Sequence, residues 1–192
     1  MASRVIKPKE FNTDIVRLIL EDHKPLKKLI KMMKNLDRNI DERRLAFEEF
    51  SQLLVAHAKP EEQTLYVALK AKKPLAASNG LSLFGSKIYP PLREEGYEGE
   101  IEHNLADQLL KNAKSAKDKD LWSARVKVLA ELVEHHIKEE ESKIIPDFKK
   151  QVAIEQRQQI GKEYLQKKTA FVQGAPKSWS ESQVRVDQRA GL

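Results

Sequence analysis

The chain has 192 residues, 40% of them hydrophobic, and a net charge of +6 from 35 Lys and Arg against 29 Asp and Glu. That length suits one domain with a buried core, and the lack of cysteine excludes a disulfide scaffold, a Cys-ligated zinc or iron–sulfur site and thiol catalysis. Mean hydropathy is −0.60, and no apolar run approaches the roughly 20 residues that span a bilayer, which excludes a membrane-spanning chain. The opening residues, Met1 to Lys9, contain no apolar signal segment, so a cytoplasmic location is expected. Basic and acidic residues are interspersed, and runs such as Lys27-Lys28 read as solvated helical faces rather than a nucleic-acid surface.

Glycine is scarce and Lys, Glu, Leu and Ala are abundant, which favours helix throughout. Ile15, Ile19, His23, Leu26, Ile30 and Met33 recur at three- and four-residue steps and predict a helix over 14–35. Asn12 or Thr13 is its expected N-cap, and Pro25, which removes one backbone hydrogen bond, is expected to kink it. A second helix is predicted from Asp41, read as its N-cap, to about Lys70, with Phe47, Phe50, Leu54, His57, Glu61 and Leu65 along one stripe. Residues 71–97 carry Pro74, Gly80, Gly85, Pro90, Pro91 and Gly96 and read as a long connection, within which Leu81 to Phe84 is expected to pack down. A third helix is predicted over 98–116 and a fourth from Leu121, with Trp122, Val126, Leu129, Val133, His136, Glu140 and Ile144 down one side. Pro146 should end or bend it, 147–171 should form a fifth, more polar helix, and 174–192, with Ser178-Trp179, reads as a loosely held tail. The expected architecture is all-α: an up-and-down four-helix bundle over 12–150, with an additional C-terminal helix and tail over 151–192.

The five histidines carry the chemical argument, because His23, His57, His103 and the His135–His136 pair place at least one on each predicted bundle helix. The second and fourth helices also share an internal repeat: Leu53 to Leu65 aligns with Leu132 to Ile144, each containing His-x-x-x-Glu-Glu. At about 100° per residue, the Glu four after the His lies about 40° from it and the Glu five after about 140° away. Glu61 and Glu140 therefore share the histidine faces, whereas Glu62 and Glu141 are expected to point elsewhere. Glu139 could compete in the fourth helix, but its counterpart in the repeat is Pro60, which has no ligand atom. His136 falls within its apolar stripe. His135 lies about 100° off it and is expected to be solvated or to sit behind the ligands.

Ionised carboxylates on apolar faces are expensive to leave unpaired, and a bound cation resolves that cost. Imidazole with carboxylate and no thiolate suits iron, manganese or zinc. Two carboxylates among several imidazoles in a bundle core fit a dinuclear site. His103 sits off the centre of its helix's apolar residues (Ala106, Leu109, Leu110 and Ala113), so Glu102 or Asp107 stands as an alternative to it. The chain contains no Gly-rich phosphate loop, His-Glu-x-x-His unit or Gly-x-Ser-x-Gly elbow.

The sequence resembles the hemerythrin-like HHE cation-binding domains over roughly residues 12–150. The matching residues are Glu21-Asp-His23, His57-x-x-x-Glu61-Glu62-x-x-Leu-Tyr66, Glu102-His103 and His136-x-x-x-Glu140-Glu141-x-x-Ile-Ile-Pro146. The resemblance implies a non-haem di-iron centre with Glu61 and Glu140 as bridging carboxylates and His23, His57, His103 and His136 as terminal imidazoles. Oxygen-carrying hemerythrins have a His-x-x-x-His pair on the third helix, and here the second of those places is Asp107. Four histidines and two glutamates look more like the family members of oxidative and nitrosative stress. Their Cys-containing N-terminal segment, found in many repair-of-iron-centres proteins, has no counterpart here.

The function so implied is a di-iron protein that binds or reacts with O2, H2O2 or NO. The alternatives are a non-catalytic iron or oxygen sensor and a metal-free helical interaction protein in which the repeat is structural.

Overall fold

The computed structural model describes residues 13–71 and 90–174, where all regular secondary structure is helical. The elements are α1 (Ile15–Lys34), α2 (Ile40–Glu62), the short α3 (Leu65–Lys70), α4 (Pro90–Lys114), α5 (Lys119–Glu139), α6 (Ile145–Gln151) and α7 (Ile154–Gly174), with a π-helical turn (Glu140–Ile144) joining α5 to α6. Among these residues no helix is long and apolar enough to cross a membrane.

Local chemistry sets the helix ends, and several differ from the sequence expectations. Asp14, not Asn12 or Thr13, caps α1, accepting from the Val16 N–H at 3.1 Å, and α1 runs on through Pro25. Asn39, not Asp41, caps α2, because its side chain accepts from the Asp41 N–H at 2.9 Å. α2 stops at Glu62 instead of reaching Lys70: Pro60 supplies no N–H, and Thr64 Oγ1 takes the Pro60 carbonyl at 2.7 Å. α4 begins at Pro90 rather than Glu98, since proline is well suited to a helix start, where its missing N–H would have no partner. The rest of the predicted connection, including Leu81 to Phe84, lies outside the described residues, as does the tail beyond Gly174. The helix continues past Pro146 to Gln151, and the last helix starts at Ile154 rather than Asp147.

α1 packs on α2 and α5, and α4 packs on α5 and α2, which closes a ring of four helices; α3 lies against α4, and α7 against α1 and α2. The apolar side chains form two clusters. One contains Leu26, Ile30, Met33, Phe47, Phe50, Leu54, Leu110, Trp122, Val126 and Leu129. The other contains Ile15, Ile19, Leu65, Leu69, Leu92, Ile144, Phe148 and Tyr164.

Every bundle helix passes from one cluster to the other through a polar level. α1 goes from Ile19 past His23 to Leu26, and α2 from Leu54 past His57 and Glu61 toward Leu65 at the start of α3. α4 goes from Leu92 past His103 to Ala106, and α5 runs from Val133 past His136 into the π-turn that carries Glu140 and Ile144. The direction reverses at each successive helix, as an up-and-down bundle requires. A buried layer of histidine and carboxylate is thus capped above and below by hydrocarbon.

Candidate metal centre

Helical spacing and the π-turn bring six polar side chains into this layer: His23, His57, Glu61, His103, His136 and Glu140, none more than 5% exposed. The π-turn begins at Glu140, whose N–H reaches the carbonyls of both His136 and Ile137. Such a turn adds one residue to a helix and re-aims the side chains that follow.

All four imidazoles turn Nε2 inward. His23 Nε2 lies 3.1 Å from Glu140 Oε2 and His136 Nε2 3.5 Å from Glu140 Oε1. His57 Nε2 lies 3.2 Å and His103 Nε2 3.8 Å from Glu61 Oε2. The rings fall into two pairs: His23 and His57 have centroids 5.0 Å apart, and His103 and His136 have centroids 4.7 Å apart. Each carboxylate therefore stands between one imidazole of each pair. Ligand atoms of His23, His57 and Glu140 lie within 4.8 Å of one another, close enough to share one ion.

Hydrogen bonding leaves this interior unsatisfied. Both Glu61 oxygens, Glu140 Oε2, His23 Nε2 and His57 Nε2 are buried without a hydrogen-bond partner. Buried polar atoms are normally paired, and among these orphans the atoms of His23, His57 and Glu140 form a donor set that fits a cation. His103 Nε2 and His136 Nε2, by contrast, lie 3.0 Å apart as a hydrogen-bonded pair. Tyr66 closes this side, its hydroxyl donating to Glu140 Oε1 at 2.8 Å and lying 3.2 Å from His136 Nε2. Gly99 makes room for it, since a Cβ there would sit 2.6 Å from the Tyr66 oxygen.

On the outer side, every histidine has a carboxylate near Nδ1. His23 meets Glu141 at 3.0 Å, His136 meets Glu102 at 2.7 Å, His103 lies 3.4 Å from Glu62, and His57 lies 3.6 Å from Asp22. Three of these carboxylates are held by lysine: Glu141 by Lys27 at 2.7 Å, Glu62 by Lys59 at 3.0 Å and Asp22 by Lys168 at 2.6 Å. A carboxylate on Nδ1 holds the proton there, leaves Nε2 as the free lone pair and fixes the ring's orientation.

Glu62 and Glu141 leave the face of their own helix's histidine, as the helical period implies, but they are not idle. At five residues from its own helix's histidine, each turns toward a neighbouring helix, where it meets that helix's histidine. Glu102 and Asp107, the alternatives to His103, both lie outside the layer: Glu102 on His136 and Asp107 in a surface pair with Lys111 at 2.7 Å. His135 is exposed and pairs with Glu139 at 3.5 Å.

Burial dominates the electrostatics. Desolvation, reinforced by the Glu140 charge, raises Glu61 well above the usual carboxylate range. Burial would raise Glu140 too, but His136 and His23 outweigh it and hold that group low. Without a cation, burial and mutual repulsion thus oppose ionising both carboxylates together. Burial pushes His57 down to about 4 and lowers His103. In His136 burial acts the same way, but Glu140 and Glu102 outweigh it and raise the ring. Both tyrosines, Tyr66 and Tyr164, are pushed well above the ordinary phenol value by burial and neighbouring carboxylates and stay protonated.

An all-α bundle with an inward layer of imidazoles and carboxylates defines a class of cation-binding helical proteins. The family model of the hemerythrin HHE cation binding domain matches residues 14–148, and the chain belongs to that family. Neither the curated proteins nor the solved structures yield a match.

Among the functional residues, Asp22, Tyr164 and the outward roles of Glu62, Glu102 and Glu141 were not legible in the sequence. Tyr66 stood within the second-helix motif with no role attached. The signal for Glu62 and Glu141 was their repetition beside each ligand glutamate.

Proposed function

We propose that the chain holds two iron ions in this layer, one on the His23–His57 pair and one on the His103–His136 pair, bridged by Glu61 and Glu140. The observation that supports this most is the position of each carboxylate between one imidazole of each pair. Manganese or zinc would suit the same donors. A purely structural repeat accounts poorly for the arrangement, because it leaves five buried ligand atoms without partners.

Two irons bound there would supply a redox-active, Lewis-acidic pair able to take up O2, H2O2 or NO. The protein's own residues set the conditions for that chemistry. Glu141 and Glu102 hold the Nδ1 protons of His23 and His136, the two apolar clusters flank the layer, and the Tyr66 hydroxyl is an O–H donor beside Glu140. A role in oxidative or nitrosative stress is the biological setting this reading favours.

Metal analysis of the purified chain after anaerobic iron reconstitution tests it, together with visible spectra with and without peroxide or NO. About two irons per chain and a ligand-to-metal band are expected, and replacing Glu61 or Glu140 by Ala should abolish dinuclear binding. Iron stoichiometry that survives both changes would rule out the bridging assignment.

A further inference from the structure

α7 begins after the family-matched residues end, yet it reaches the metal layer. Arg157, Gly161, Tyr164 and Lys168 recur at steps of four, three and four and so share one face of the helix. Each meets the bundle.

The Arg157 guanidinium forks onto Asp14, the α1 cap, at 3.0 Å, and also donates to the carbonyls of Lys149 and Val152. Gly161 lets α7 touch the start of α1, because a Cβ there would lie 1.7 Å from the Thr13 carbonyl oxygen. Tyr164, 1% exposed, donates its hydroxyl proton to Asp22, and the same oxygen lies 3.3 Å from His57 Nδ1. Lys168 donates to both Asp22 oxygens at 2.6 Å.

These contacts have one consistent polarity. With His57 Nε2 facing the layer as a lone pair, Nδ1 carries the proton and donates to the Tyr164 oxygen, and the Tyr164 hydroxyl donates in turn to Asp22. Direct approach between His57 and Asp22 is 3.6 Å, too long for a good hydrogen bond. By contrast His23 and His136 reach their carboxylates directly, at 3.0 and 2.7 Å. His57 is thus held through a residue of α7.

We propose that α7 is an integral wall of the metal centre and that Tyr164 is a positioning residue, orienting His57 for the ion on the His23–His57 pair. This rests on the two-metal reading above. It makes the family-matched span alone an incomplete site.

The test is Tyr164→Phe in the full chain, which keeps the ring and removes the hydroxyl. Fe(II) is titrated anaerobically into the metal-free protein, with Co(II) and its visible bands as a second probe of ligand geometry. The expected result is about 10- to 100-fold weaker binding of one equivalent, with an altered cobalt spectrum for that equivalent. The second equivalent should hold, and the metal-free protein should stay folded with a melting temperature lower only by the few degrees that loss of one buried hydroxyl costs. If Tyr164→Phe does not fold, Asp22→Asn, which leaves the ring in place, should give the same loss of one equivalent.

Unchanged binding of both equivalents overturns the proposal, as does a weakening of both that tracks a loss of metal-free stability. If the unmodified chain takes up neither metal, the two-metal reading falls together with the proposal. If the unmodified chain binds two ions and the variant does so equally well, only the role of Tyr164 falls.

Discussion

Glu61→Leu separates a metal-binding core from a merely polar one, because it should change the metal-free and metal-loaded proteins in opposite directions. Glu61 is wholly buried, and neither carboxyl oxygen has a hydrogen-bond partner. A buried carboxyl in that condition costs about 1–3 kcal/mol when protonated and more when ionised. Leucine removes that cost without removing a hydrogen bond, since the 3.2 Å approach to His57 Nε2 does not form one. The balance is a metal-free variant more stable by about 1–3 kcal/mol, or about 2–12 °C in melting temperature for a chain of this size. In the unmodified protein, metal at 100 times its dissociation constant should add about 2.7 kcal/mol, and the variant should lose most of that gain. Calorimetric melts of chelator-treated and iron-reconstituted samples read both quantities. A metal-free variant that melts lower, or one that still gains the full increment from iron, would refute the reasoning.

Glu141→Ala and Glu62→Ala should each weaken metal binding by about 10- to 100-fold, whereas His135→Ala should leave it unchanged; competition titrations against a chromophoric chelator would rank them. Metal uptake should release protons, because Glu61, raised by burial, must ionise to bind and His136, raised by Glu140 and Glu102, must become neutral. Affinity should therefore climb with pH through the range in which those two groups titrate, while His57, at about 4, is already neutral above pH 5. Calorimetric heats that do not vary with the buffer's ionisation enthalpy would contradict this. In the metal-free protein the raised Glu61 binds a proton its unfolded counterpart has lost, so its contribution to stability declines as pH rises above 4.5 through its folded-state value. Gly99→Ala would place a Cβ 2.6 Å from the Tyr66 hydroxyl and push the phenol off Glu140; about 1–3 kcal/mol of destabilisation, read by urea melts, is expected.

Local periodicity made the four bundle helices legible, because the 3.6-residue repeat of Ile19, His23 and Leu26, or of Leu54, His57 and Glu61, depends on one helix alone. The same period put His57 with Glu61 and His136 with Glu140 on shared faces before any packing was known. Helix ends were less legible. Pro90 and Pro91 looked like a loop, yet proline also begins helices, and Asp14 took the cap ahead of Thr13 because its carboxylate reaches the Val16 N–H. Which way His103 faces also lies beyond periodicity, since it sits off the centre of its helix's apolar residues.

The sequence by itself determined the ligand chemistry: imidazole and carboxylate without thiol, repeated at a spacing that one helix can present on one face. Only the tertiary structure decided what stands behind those ligands. Glu141 meets His23, Glu62 approaches His103, Glu102 meets His136, and Tyr164 links His57 to Asp22, each pair joining residues of different helices. A helical repeat specifies the angle at which a side chain leaves its own axis. It carries no information about which neighbour lies along that direction, and that is set by how the helices pack around two separate hydrocarbon clusters.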